Sequence, residues 1–293
     1  MSEPATDVSI RLMTRRDIPA AQRLREAAGW NQTDADWENL LSFEPTGCFA
    51  AEVGGAVVGT ATTTTYKNQS GALSLAWIGM VLVDPAQRRR GVGTALLQEC
   101  LDYLQDLGVE TIKLDATPDG KAVYDKLGFV DEYRLERWEG VAAPKLKSGS
   151  PEIKALTEVD TIFDYDSAVF DARRRMVLDA RLRAWPECAA VSFAAGGQVS
   201  GYALARRGAR LHQAGPIVAN TPELAALLLD HVLEKMAGAP VIVDVPVANA
   251  WALELLRARG LKMQRPLIRM ALGPNKSPGT PGKVLGICGP ELG

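Results

Sequence analysis

The stretch Val83-Asp84-Pro85-Ala86-Gln87-Arg88-Arg89-Arg90-Gly91-Val92-Gly93-Thr94-Ala95-Leu96 decides how this chain is read. Ahead of it, Leu73 to Val83 is an extended run that stops where Asp84-Pro85 cannot continue a strand. Behind it, Val92, Leu96, Cys100 and Leu104 recur at every fourth position with Leu97 and Leu101 alongside, the apolar face of a helix that ends near Leu107-Gly108. A strand therefore runs into a helix through three arginines and two glycines. At a helix start several backbone N–H groups lack an internal partner and the dipole is positive, so an anion is stabilised there. Gly91 and Gly93 have no Cβ and allow close approach, while Arg88, Arg89 and Arg90 add charge-assisted bonds. The pattern describes a phosphate cradle. It is not a Walker loop, which needs Gly-Lys-Ser/Thr where Gly93-Thr94-Ala95 stands, nor a dinucleotide fingerprint, which needs a third glycine at Leu96. The plainer alternative is an exposed basic turn whose glycines serve helix packing.

Outward from this stretch the chain reads as strands and helices in one layer order. Asp17 can cap a helix started by Pro19; Gly47 to Val53 and Ala56 to Thr64 form a hairpin about Gly54-Gly55. After the long helix come a strand from Val109 to Ala116, a Pro118-Asp119-Gly120 turn, a short helix from Lys121 to Leu127, and a strand from Phe129 through Trp138. This is an α/β (α+β) arrangement. Residues 142–151 are poor in large apolar groups and read as a linker between a domain at 1–141 and a second at 152–293.

The second domain repeats the order. A helical stretch begins at Thr157-Glu158-Val159-Asp160, Cys188 to Ala195 and Gln198 to Ala205 make a hairpin, and Leu211 to Val218 is extended. A helix from Pro222 to Met236, a strand from Val241 to Val245, a helix from Ala250 to Arg259 and a strand from Leu267 to Leu272 complete it. In the Gly- and Pro-rich tail, Val284 to Cys288 can add an edge strand.

Composition narrows the function classes. Of 293 residues, 47% are hydrophobic and 23% charged, which excludes disordered and fibrous classes. Thirty-three basic against thirty-five acidic residues give 33 − 35 = −2, so no global field draws the chain to nucleic acid or acidic lipid, and any polyanion site is local. The four cysteines are dispersed and the two histidines stand apart, so neither disulfides nor a metal site is expected. With no long apolar segment and no secretory pattern at the start, a cytoplasmic location is expected, with no membrane and no nucleic-acid partner.

Arg88-Arg89-Arg90-Gly91-Val92-Gly93, after Val83-Asp84-Pro85 and before Ala95-Leu96-Leu97, resembles the Gln/Arg-x-x-Gly-x-Gly/Ala motif of the GNAT superfamily of N-acetyltransferases. Tyr124-Asp125-Lys126-Leu127-Gly128-Phe129 is similar to that family's Tyr-x-x-x-Gly-Phe signature. The resemblance spans the first domain. It implies a mixed, mostly antiparallel sheet flanked by helices, whose fourth and fifth strands part to admit acetyl-CoA as co-substrate. It further implies that Val81, Leu82 and Val83 line the thioester and pantetheine, and that Arg88, Arg89, Arg90, Gly91, Val92, Gly93 and Thr94 hold the pyrophosphate. Tyr124 would be the general acid, a phenol ordinarily near 10 donating to the departing thiolate, and a backbone N–H between Met80 and Leu82 would stabilise the oxyanion. Many relatives carry an asparagine where Thr117 stands. Asp115 is a candidate base; turn-capping before Pro118 is its alternative. Glu26, Trp30 and Trp37 lie in the region that covers the family's acceptor cleft.

The second domain resembles a degenerate GNAT-like partner: Leu256 stands at the tyrosine's place, and Gly215 to Pro222 enters its helix without arginine or a Gly-x-Gly pair. It can close the acceptor pocket, make a homodimer interface, or stabilise its neighbour. Arg173-Arg174-Arg175 reads as a solvated helix face. The expected activity is acetyl transfer from acetyl-CoA to a primary amine on a small molecule or peptide, without metal. The alternative is a non-catalytic acyl-CoA-binding sensor, and a tandem synthase acting on a specialised thiol precursor is a third option.

Overall fold

The apolar run at Leu73 is long enough to cross a sheet, and Asp84 ends it by accepting from the Ala86 N–H at 2.9 Å. In the computed structural model, which describes residues 8–145, 152–275 and 277–293, this strand is β4 (Leu73–Val83). Before it lie β1 (Val8–Leu12), α1 (Ile18–Ala27), α2 (Asp34–Phe43), β2 (Cys48–Val53) and β3 (Ala56–Lys67). After it come α3 (Val92–Asp106), β5 (Thr111–Ala116), α4 (Pro118–Lys126) and β6 (Val130–Val141). The second half contains β7 (Lys154–Ala155), α5 (Asp160–Phe170), α6 (Arg175–Ala184), β8 (Ala190–Phe193), β9 (Val199–Arg206) and β10 (His212–Ala219). It ends with α7 (Pro222–Lys235), β11 (Pro240–Pro246), α8 (Ala250–Ala258), β12 (Lys262–Leu272) and β13 (Val284–Gly286).

The fold is a mixed α/β one with a mostly antiparallel sheet. Among the described residues its strands run β1-β2-β3-β4-β5-β12-β6-β11-β10-β9-β8-β7, with β13 on β10. The two halves exchange their last strands. β5 pairs with β12, not β6, and β6 pairs with β11, so each half's sheet is completed by the other. A division at 141 and 152 thus cuts the sequence but not the sheet. Buried ion pairs match on the two sides: Arg269 of β12 meets Asp115 of β5 at 2.8 and 2.9 Å, and Arg137 of β6 meets Asp244 of β11 at 2.7 and 2.8 Å. Removing one partner of such a pair leaves a buried charge and costs about 3–5 kcal/mol, which makes the exchange specific.

α3 buries Leu96, Leu97, Cys100 and Leu104 against Phe49, Ala76 and Ile78. On the opposite face Trp37, Leu40 and Trp77 pack with Val177 of α6 and Leu292 of the tail, so the second half supplies part of the first half's core. α7 and α8 cover β10 and β11 through Leu228, Leu229, Val232 and Leu256.

Several local expectations change. Asp17 does not cap α1 with its side chain; its carboxylate takes the Thr14 N–H at 2.8 Å and both Arg11 Nη groups, which hold it at about 2. The helix expected from Lys121 starts at Pro118, because Thr117 caps it by accepting from the Gly120 N–H at 3.3 Å and proline suits a first turn. Residues 146–151 of the expected linker lie outside the described residues, whereas Ala142 donates its N–H to the Ala239 carbonyl oxygen. Arg174 is no solvated side chain: it is buried on Asp166 and the Gly293 carbonyl oxygen. Arg173 and Arg175 lie over Phe163. β13 is not at an edge but lodged between β10 and β11, with the Ile287 N–H on the Asp244 carbonyl oxygen at 2.9 Å.

Candidate active site

The loop from β4 to α3 presents its charges to solvent. Arg88, Arg89 and Arg90 are exposed and, among the described residues, form no ion pair with a carboxylate; Arg90 donates to Gln87 Oε1 at 2.9 Å. Arg89 and Gly91 both take left-handed backbone, at φ +62° and +84°. Gly91 occupies the N-cap of α3 and offers no side chain to its first-turn amides, which leaves them for an anion.

β4 and β5 pair in parallel only from Leu75–Trp77 to Thr111–Lys113, and then part. Just past that point β4 bulges. Gly79 faces Thr62 and Leu82 faces Thr60, so Met80 and Val81 stand against the single residue Ala61. Met80 is held at φ +51°, with its carbonyl oxygen accepting from Thr60 Oγ1 at 2.9 Å. Left-handed backbone on a residue with a Cβ is costly and marks functional sites.

The parted strands open into a cleft lined on one side by Met80, Val81, Leu114, Asp115, Thr117 and Tyr124. The Tyr124 ring lies edge-on to Phe129 at 6.1 Å, and a Cβ on Gly120 would come within 3.0 Å of it, so α4 fixes the ring's position. Burial pushes the phenol up to about 12. Asp115 has both carboxylate oxygens on Arg269; burial pushes its carboxyl up and the guanidinium works against that. It caps no turn, since Thr117 does that.

The opposite wall comes from elsewhere: Trp30, Gln32, Arg137, Arg265, Leu267 and Glu291. Strand exchange brings Arg137 and Arg265 here. The tail brings Glu291, crossing Gly79, where a Cβ would press on the Glu291 backbone at 2.9 Å. Trp77 Nε1 donates to the Pro290 carbonyl oxygen and Tyr66 Oη to that of Leu292, both at 2.9 Å, which pins the tail. Glu291 is only 4% exposed, yet neither carboxylate oxygen accepts a hydrogen bond; Arg181 and Arg206 stand at 3.5 and 3.8 Å. Both arginines also reach Asp36, at 3.4 and 2.9 Å. Arg265 is half-buried, its Nε unpartnered, and lost hydration together with neighbouring Arg137 lowers it to about 10.

Comparison with known proteins bears on this geometry directly. The GNAT acetyltransferase family matches residues 17–129, and a GNAT acetyltransferase domain matches residues 162–286. The chain belongs to the GNAT acetyltransferases. It is a tandem acyltransferase of that family. The uncharacterized N-acetyltransferase YitH of Bacillus subtilis is 27% identical over 198 residues, 62% of this chain and 67% of that protein. Holothin acyltransferase of Pseudoalteromonas sp. is 23% identical over 271 residues, 91% of this chain and 88% of its own. Among solved structures, a putative acetyltransferase from Pyrococcus horikoshii superposes with a TM-score of 0.81 at 27% identity, covering 100% of this chain and 98% of that one.

Within the GNAT frame, the cleft gathers Val81, Tyr124 and Asp115, with Leu82 and Val83 following on the same strand toward Arg88–Thr94. Of the helical residues, Trp30 reaches the cleft, Trp37 is fully buried in the core, and Glu26 is exposed beside Arg25. Sequence reasoning missed Gln32, Arg137, Arg265 and Glu291. Only Glu291 left a trace, one carboxylate in an otherwise uncharged run from Val284 to Leu292. Among the described residues no group of three or more His, Cys, Asp or Glu side chains could hold a metal ion, and no helix is long and apolar enough to cross a membrane. All four cysteines are free and buried.

Proposed function

We propose that the chain transfers an acetyl group from acetyl-CoA to a primary amine by direct attack. The observation that carries this is the convergence, at one parting of two strands, of an uncapped helix start with unpaired arginines, a strained bulge and a fixed tyrosine.

Acetyl-CoA fits these residues. Its diphosphate suits the amides of Val92, Gly93 and Thr94 and the guanidinium groups of Arg88, Arg89 and Arg90, and its pantetheine is extended enough to pair with Val81, Leu82 and Val83 in place of the missing β5 ladder. Bound there, it supplies an acyl carbon activated by a thioester. A backbone N–H of the Met80–Val81 bulge, preset by the fold, stabilises the carbonyl oxygen as charge develops. Tyr124 donates a hydrogen bond to the sulfur. Full transfer from a phenol at about 12 to a thiolate whose acid lies near 8.5 is uphill by roughly 5 kcal/mol, so the hydrogen bond is its larger contribution. The attacking nitrogen must lose a proton. Asp115 has both oxygens hydrogen-bonded to Arg269, whereas Glu291, which lines the cleft, has only the longer ion pairs to Arg181 and Arg206 and no hydrogen bond on either oxygen, and we assign it that proton.

A sensor that only binds acyl-CoA would have no use for Tyr124 in the cleft. The test is thiol release from acetyl-CoA across an amine library, with calorimetry of acetyl-CoA binding. Turnover that needs Tyr124 supports the reading; binding without turnover on any amine supports the sensor.

A further inference from the structure

The cleft wall holds two oppositely charged groups, Glu291 and Arg265, whose hydrogen bonding the protein leaves incomplete. Its other ionised walls are matched, Asp115 by Arg269 and Arg137 by Asp244. Glu291, Asp36, Arg181 and Arg206 balance two against two, but the Glu291 oxygens accept no hydrogen bond. Arg265 is left over. Among the described residues it has no ion pair, its Nε is buried without an acceptor, and its charge is disfavoured by burial and by Arg137. Asp244 and Glu139 act on it only from a distance, without an ion pair, so a partly dehydrated guanidinium beside a second one favours a further anion in direct contact.

Resting on the acetyl-transfer reading above, we propose that the acceptor is a small zwitterion of the free amino-acid type, its amine at Glu291 and its carboxylate at Arg265. A carboxylate matches one guanidinium in charge and in planar, two-point geometry. A phosphate monoester, carrying about 1.5 to 2 charges near neutral pH, would leave charge unbalanced. A plain amine, or a peptide N-terminus whose carboxyl is an amide, would leave Arg265 without a direct ion-pair partner. Trp30, Ile78, Leu114 and Leu267 give the wall an apolar part against which the carbon skeleton of such an acceptor can lie.

The test uses the full chain and acetyl-CoA with L-amino acids, each paired with its decarboxylated amine and its amide, phenylalanine with phenethylamine and phenylalaninamide among them. Thiol release gives kcat/KM, and calorimetry on protein saturated with CoA gives acceptor binding. The wild type is expected to favour the acid over its decarboxylated amine at least tenfold. Arg265→Gln should bring that ratio near one, and Arg265→Lys should keep part of it. The ratio is taken within one preparation, so partial misfolding cancels. A wild-type ratio near one for every pair, or a ratio that survives Arg265→Gln, overturns the proposal. If plain amines are acetylated without preference, acetyl transfer stands and the zwitterion falls. If amino acids bind the CoA-loaded protein through Arg265 and no thiol appears, the pocket stands and the transfer reading falls.

Discussion

The two halves of the chain part their sheets at the same place and use the gap differently. In the first, β4 and β5 separate after a short parallel pairing and the gap opens into the cleft. In the second, β10 and β11 separate after His212–Gln213, and β13 fills the gap by pairing with Ile217 and Val218. Asn249 secures the plug, donating to the Pro281 and Val284 carbonyl oxygens at 2.7 and 2.8 Å. The helix starts differ likewise: α3 begins at bare Gly91, while Thr221 caps α7 with its own hydroxyl. A split that keeps its amides free can take a ligand; one that spends them on its own strand and cap is structural. The plug also serves the open side, because the chain leaving β13 runs straight to Glu291.

The largest expected effect breaks the asymmetry at its root. Gly91→Asp forces a Cβ onto φ +84° and sets a carboxylate where the diphosphate belongs, and Arg88→Glu reverses a cradle charge. Calorimetry should find acetyl-CoA binding abolished in both, while Asn220→Asp, before the capped helix of the closed half, leaves it intact. Next, Tyr124→Phe should lower kcat about 10²–10³-fold with acetyl-CoA affinity nearly unchanged, as measured by steady-state thiol release. The plug is tested through Gly215→Ala, whose Cβ would fall 2.1 Å from the Ile287 carbonyl oxygen. Expelling β13 should cost about 1–3 kcal/mol in thermal or urea unfolding and raise the acceptor KM by displacing Glu291, with acetyl-CoA affinity little changed. The smallest effect is one of pH. Because burial holds the Tyr124 proton until about 12, the group acts in its protonated form well above the ordinary phenol range. At saturating acceptor, where a bound carboxylate keeps Arg265 charged, kcat should climb as the acceptor amine deprotonates and then stay level to beyond pH 10; a fall in kcat near 10 would contradict the buried position.

Much of the open half could be read in advance. Leu73–Val83 has the expected bounds, and the long helix differs from them by about a residue, because apolar spacing, Pro85 and Gly108 are local signals. Tyr124 and the arginine loop were legible for the same reason: each motif is contiguous, and its chemistry depends on a strand-to-helix join only a few residues long. Asp115 was misleading because its partner, Arg269, lies 154 residues away. Arg137 and Arg265 carry no local pattern that distinguishes them from other charged residues, and Glu291 only its place in an otherwise uncharged run.

By itself, then, the chain's sequence determined the order of elements, the repeat, the arginine- and glycine-bearing join of β4 to α3 and the tyrosine on α4, all consequences of backbone preference and short-range spacing. Tertiary structure alone decided that the halves trade their last strands, that β13 closes one gap, and that a tail glutamate and a stranded arginine face the other. The reason is physical. Which edge a strand joins depends on hydrogen bonds, buried ion pairs and packing summed over residues more than a hundred positions apart, and those sums exist only once the chain has folded.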